Sequence, residues 1–437
     1  MYYHARRMNG DPDEPEAAEA EADSGPQWPA YYCDVRNFLQ QHFADIWDWF
    51  LQDERTAAAL KRTQQELNKH TVAVPADVAE RLQPLTDRAA DLLQLTVPVH
   101  LRQSVEQQFR SVHVVCLPRE AHIIFGDALW SQLTDDQLLA VLLHEMAHFE
   151  LSTAARQHFA LVEEVVDALA NDGNGHRAWL RTGRNLRLHA EFYCDRRAVE
   201  LMDSDRPILG ALLRLHSGVD QIDEDAFAKQ VAELSDLQAG TTFGETHPEL
   251  HLRARAMQWP LTDESQMQLR RLVDGHWELD QLDVLQQRQL QSLTSFLLDR
   301  FFRFEWTHSP ALLGYAKRID PDYSPPVAAK YVPQEDFVDS TSANCDVADS
   351  SADDRSRMLS YKSVQDYLTY VLLDLATIDP ELEEAPLALA NLVAEELRLT
   401  NFREVAESEI KVGRRLLRQI FEESARLVQE TGLEPSR

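Results

Sequence analysis

His144-Glu145-Met-Ala-His148 forms an H-E-x-x-H pattern within residues 134–151. On a helix, His144 and His148 lie one turn apart on one face, the spacing two imidazoles need to hold a single Zn²⁺ at about 2.0–2.1 Å. Glu145 is rotated about 100° from His144, which sets its carboxylate beside a zinc-activated water instead of on the ion. Zinc in such a site takes a third protein ligand and leaves a fourth position for water. The next segment with suitable chemistry is 187–201, where Glu191 and Asp195 fall one turn apart on a second helical stretch. That pair suits a division of labour in which Glu191 ligates the metal and Asp195 accepts a hydrogen bond from a ligating histidine, fixing its tautomer. The alternative is a pair of exposed acids among neighbouring arginines. Chance yields the three fixed letters of H-E-x-x-H about one time in twenty in a chain of this size and composition, so the motif needs its context.

The context is an element well specified as a helix. Thr134 with Gln137 three residues on makes a capping box, Asp135 and Asp136 suit the positive end of the helix dipole, and residues 138–143 are apolar nearly all round. These features predict a buried central helix. Just upstream, residues 96–126 change period: Val97, Val99 and Leu101 alternate, then Val112, Val114 and Cys116, then Ile123 to Phe125 after a Pro118-Arg119 turn. They predict short strands of a small sheet. Elsewhere long helix-period stretches with only 14 Gly and 19 Pro point to a mainly α (α+β) protein.

Taken in order, these residues resemble the signature of the HtpX-like and CaaX-prenyl-protease zinc metallopeptidases, metallopeptidase family forty-eight among the gluzincins. His144-Glu145-x-x-His148 is followed by Glu191-x-x-x-Asp195, as in that family. Residues 121–129 and 133–138 are similar to the strand, turn and helix start before its zinc helix. Thr246-His247-Pro248 with Arg253 resembles its T-H-P-x-x-x-x-R segment, whose His and Arg are implicated in transition-state and substrate binding. The likeness spans residues 112–257, about a third of the chain.

It implies a gluzincin fold with a small β-sheet whose edge strand, expected at 121–125, holds a peptide substrate as an added strand. It also implies one Zn²⁺ per chain on His144, His148 and Glu191, with Asp195 behind a ligating histidine and Glu145 as general base. His247 is then the donor to the developing oxyanion and Arg253 a substrate-binding residue. Pro248 fits a first helical position, which would leave His247 at a helix entrance facing the cleft; a structural role at that entrance is the alternative. The sequence departs from the family at 113–116, His-Val-Val-Cys, where an Asn-Ala pair is usual, and at Cys194, where a small residue is common. Cys194 reads as a packed thiol.

The remaining sequence bounds the partners. The net charge is −30 from 43 basic and 73 acidic residues, which disfavours nucleic acid and anionic membrane surfaces as partners. No apolar stretch approaches the roughly 18 residues that suggest a membrane span, no signal-type apolar core follows Met1, and the four cysteines form no C-x-x-C pair. A cytoplasmic protein without membrane insertion is the expectation. The expected organisation is an acidic tail at 1–30, a metallopeptidase domain at 31–330 with its core at 96–260, an acidic linker at 331–356 and a helical domain at 357–437. Within them, residues 11–23 and 333–354, which contain no basic residue, hold fourteen of the thirty excess negative charges. The span 152–185, between the two motif helices, is expected to cover the cleft as a lid. The function expected is a zinc endopeptidase acting on peptides or proteins; the alternatives are a silent scaffold serving as an adaptor and a site-specific regulatory protease.

Overall fold

The computed structural model describes residues 28–433 apart from 52, 107–110, 127, 155–157, 173–176, 218–222, 236–240, 260–261, 276, 328–351 and 412. Nearly all of the expected acidic tail, and the expected linker up to residue 351, lie outside these. The chain divides into two compact units, Met1–Gly275 and His276–Arg437.

The first unit contains helices α1 (Ala30–His42), α2 (Ala44–Phe50), α3 (Asp53–His70), α4 (Ala76–Leu92), α5 (Asp135–Thr153), α6 (Phe159–Asn171), α7 (Arg177–Met202), α8 (Arg206–Ser217), α9 (Glu224–Ser235), α10 (Leu250–Met257) and α11 (Asp263–Asp274). Four short strands complete it: β1 (Thr71–Ala73), β2 (Val99–Ser104), β3 (Val112–Leu117) and β4 (Glu120–Phe125). Their order in the sheet is β1-β2-β4-β3, with β2 and β4 parallel and the outer pairs antiparallel.

The strand expected at the edge, 121–125, is therefore an interior strand, and β3 holds the edge. The physical reason is visible in the burial. Residues 121–125 are buried on both faces, the mark of a central strand, whereas most of β3 is only half-buried. Alternate residues Leu101, Ile123 and Phe125 turn one face of the sheet onto α4 and α5, where they meet Leu82, Leu138, Leu142 and Met146. Each such fully buried aliphatic side chain contributes about 1.5–3 kcal/mol.

Helix α5 starts as its sequence dictates. Gln137 N donates to Thr134 Oγ1 (3.3 Å) and Thr134 N donates to Gln137 Oε1 (3.2 Å), closing the capping box. Residues 137–147 are all buried, so α5 runs through the core as the apolar run requires. The 26-residue α7 lies against α5, and this pair forms the scaffold for the site.

The second unit contains α12 (Val284–Phe301), α13 (Pro310–Ile319), α14 (Ala352–Met358), α15 (Lys362–Thr377), α16 (Ala385–Glu396), α17 (Phe402–Glu409), α18 (Arg414–Glu422) and α19 (Ser424–Leu433). Trp277, Leu297, Phe301 and Leu312 share one core with Leu368, Leu372, Leu389 and Phe402. Residues 277–323, expected with the peptidase domain, thus pack with the helices after 357, and 352–356, expected as the end of the linker, open α14. No helix among the described residues is long and apolar enough to cross a membrane.

Candidate active site

Helix α5 carries His144, Glu145 and His148 to one side of α7, which supplies Glu191 and Asp195. Glu191 Oε1 is 3.3 Å from His148 Nε2, and Glu191 Oε2 is 3.6 Å from His144 Nε2. One ligand atom from each of the three residues lies within 4.8 Å of the others. Glu191 Oε2 is buried without a hydrogen bond. Two imidazoles and a carboxylate oxygen left unsatisfied in the interior fit a divalent metal, and this donor set is one zinc accepts.

Behind these donors stands a buried charge network. Asp195, 1% exposed, approaches His144 Nδ1 to 3.0 Å. Arg253 from α10, 3% exposed, grips the same carboxylate bidentately, Nε donating to Oδ2 (2.7 Å) and Nη2 to Oδ1 (2.6 Å). Its Nη2 also lies 3.3 Å from Glu191 Oε2. Burial alone would push both carboxyls up. The Arg253 charge and the neighbouring imidazoles more than offset it, holding Glu191 and Asp195 below the usual carboxylate range. Arg253, expected at the substrate, is occupied by these two acids.

Glu145 has a different environment. Burial raises its pKa above the ordinary glutamate value, with His144 and His148 opposing. Cys194 is fully buried within hydrogen-bonding reach of His148, and burial pushes its thiol up to about 12, so it stays protonated.

The expected helix entrance at Pro248 is displaced. Helix α10 begins at Leu250 with Glu249 as N-cap, so His247 sits on the loop before it. The loop doubles back tightly: a Cβ on Gly244 would lie 1.9 Å from the His247 carbonyl oxygen, which only glycine permits. Phe243 N donates to Glu249 Oε1 (2.8 Å) and ties the turn to the helix. His247, its side chain 58% exposed, turns Nε2 to 3.6 Å from Glu191 Oε1. Its other nitrogen, Nδ1, is 2.9 Å from Thr246 Oγ1.

His144, Glu145, His148, Glu191, His247 and Arg253 border a cavity of about 680 Å³. One wall is β3, through residues 112–114 and Cys116; another is apolar, from Ile208 and Leu212 on α8. Helix α6, within the span expected as a lid, adds Phe159 and Glu163. Glu163 accepts a short hydrogen bond from the Tyr32 hydroxyl of α1. Sequence reasoning missed the Tyr32–Glu163 pair because its members are 131 residues apart and carry no motif.

Residues 114–260 match the sequence model of Peptidase family M48. No curated protein and no solved structure matches the chain.

Proposed function

We propose that the chain is a zinc-dependent endopeptidase acting on peptide or protein substrates, a reading supported by the match of residues 114–260 to the sequence model of peptidase family M48, a metallopeptidase family. The observation that carries the reading is the convergence of His144, His148 and Glu191, with Glu145 beside them, on a cavity walled by a sheet edge.

His144, His148 and Glu191 would hold the ion. When bound, zinc supplies Lewis acidity, which makes water nucleophilic near neutral pH and polarises the scissile carbonyl. Glu145 takes the proton of the attacking water as the new C–O bond forms, then delivers it to the amine as the C–N bond breaks. Its burial-raised pKa suits both halves of that transfer. His247 faces the same space from a loop free of the helix, and an Nε2–H there donates to the carbonyl oxygen as negative charge develops.

Asp195 and Arg253 are positioning residues. The carboxylate orients His144 through Nδ1, and the guanidinium holds Asp195 and Glu191 in their charged forms. The free edge of β3 lies along the cavity, and an extended substrate adds to it as a strand. A silent adaptor scaffold would have no use for Glu145, which this chain retains.

The test is Glu145→Gln in the full chain. The variant should hold as much zinc as the parent while hydrolysis of an unfolded protein falls by about 10²–10⁴. Undiminished hydrolysis by the zinc-loaded variant refutes the mechanism.

A further inference from the structure

Outside the cavity, the described residues contain one other group of histidines and carboxylates with converging donor atoms: His100, Glu120 and His122, again within 4.8 Å of one another. The sheet creates the group. Strands β2 and β4 run parallel with His100 paired to His122, and Glu120 stands two residues before His122 on the same face. Leu101, Ile123 and Phe125 point the other way, into the core shared with α4 and α5. The trio therefore occupies the face of the sheet opposite the catalytic helix.

Its spacing fits an ion. Glu120 Oε2 is 3.3 Å from His100 Nε2 and Oε1 is 3.3 Å from His122 Nε2. Tetrahedral ligands at zinc bond lengths of about 2.0–2.1 Å stand about 3.3 Å apart. The side chain of His122 is only 8% exposed; its Nε2 faces Glu120, and its Nδ1 makes no hydrogen bond. A buried ring nitrogen without a hydrogen-bond partner is rare in folded proteins and calls for an explanation. His100, 47% exposed, has room to turn its ring toward an ion. Arg102, which is close enough to act on His122, is drawn off toward β1 and α3, where it donates to Thr71 and Asn68.

We propose that His100, Glu120 and His122 form a second divalent-metal site, with Zn²⁺ the ion this imidazole and carboxylate set suits. The ion ties β2 to β4, the parallel and hence weaker pairing of the sheet, and so steadies the strand on which β3 hangs. The site is independent of the catalytic reading and stands or falls without it.

The experiment strips the full chain with a chelator, reloads it with Zn²⁺ or Co²⁺, removes excess ion by gel filtration and counts bound metal. The parent should retain two ions per chain. His100→Ala and Glu120→Ala, both at accessible positions, should each retain one. The paired change His144→Ala and His148→Ala should also retain one, with a Co²⁺ visible band that disappears when His100→Ala is added. Affinity at the second site should fall in His100→Ala by at least the ~10–100-fold that loss of an outer partner already costs a metal site. His122→Asn is informative only alongside these variants, because a buried change there can perturb folding. A metal count that is the same in His100→Ala and Glu120→Ala as in the parent, whether one ion or two, overturns the proposal. A parent chain that retains two ions yet hydrolyses no peptide or protein counts against the catalytic reading alone.

Discussion

Replacing Arg253 with leucine asks whether its guanidinium serves the metal site or the substrate. The side chain is buried, makes two hydrogen bonds to Asp195 and stands 3.3 Å from Glu191 Oε2. Leucine keeps much of the volume and leaves two buried carboxylates with one cation fewer. Removing one partner of a buried ion pair costs about 3–5 kcal/mol, whereas replacing the whole pair is often near neutral. At about 2–4 °C per kcal/mol for a unit of this size, Arg253→Leu should lower the melting temperature of the first unit by ~6–20 °C. The shift should be larger after chelation, because a bound dication compensates Glu191. Asp195→Asn in the same chain should recover part of the loss, with a coupling of about 0.5–3 kcal/mol in the double-mutant cycle. Melts followed by tryptophan fluorescence, with and without chelator, measure this, since most of the tryptophans lie in the first unit. In steady-state kinetics the variant should lose kcat with KM nearly unchanged. A melting temperature within about 2 °C of the parent, together with a raised KM and an unchanged kcat, would put Arg253 on the substrate and refute the reasoning.

Two further predictions concern the walls of the cavity. His247→Ala should lower kcat by ~10²–10³ without loss of metal. Gly244→Ala, which drives a methyl into the His247 carbonyl, should reproduce most of that loss alone and add little in the His247→Ala background; additive losses would separate the loop from the histidine. Glu163 has its pKa raised by burial, with the Tyr32 hydrogen bond opposing. Ionising it therefore costs the folded state more than the unfolded one, so its contribution is fully present below the unfolded value near about 4.3 and declines as pH rises through the folded value. Glu163→Gln still accepts from Tyr32 and cannot ionise. It should be more stable than the parent at pH 7 and converge with it near pH 4, read from urea midpoints; a gap independent of pH contradicts this.

Local signals carried α5 and half of the site into view. The capping box, the acidic first turn and the apolar run needed nothing beyond neighbours in the chain, and i,i+4 spacing was enough to pair His144 with His148 and Glu191 with Asp195. What failed was long-range. Nothing near Arg253 announces that its partner is Asp195, 58 residues earlier, because the contact is made by two helices meeting in three dimensions. The order of strands is likewise not the order of the chain; β4 enters between β2 and β3, and only its apolar character on both faces hinted at an interior place. Helices 284–301 and 310–319 have stripes like those of the first unit, so periodicity alone did not reveal that their partners lie beyond residue 357. The tight turn at Gly244 moved the start of α10 past Pro248, a displacement set by tertiary contact with Glu249.

Metal removal links these pieces. His144 and Glu191 are anchored on long helices whose surrounding residues are buried, so the donors cannot relax far when the ion leaves. Without it, the interior between α5 and α7 retains two imidazoles, two carboxylates and one guanidinium whose interactions are incompletely satisfied, as Glu191 Oε2, ion-paired but without a hydrogen bond, shows. The bound ion should therefore stabilise this helix pair by the full linkage free energy. At a free concentration 100 times Kd that is about 2.7 kcal/mol, a factor of ~100 in the local opening equilibrium. Amide exchange followed by mass spectrometry is the direct assay, performed on the His100→Ala chain so that only the catalytic donors are in play. Chelation should speed exchange of the α5 and α7 amides by about that factor, and restoring Zn²⁺ should reverse it. If protection of both helices is the same with and without zinc, His144, His148 and Glu191 do not hold an ion in the folded protein, and the catalytic reading fails with them.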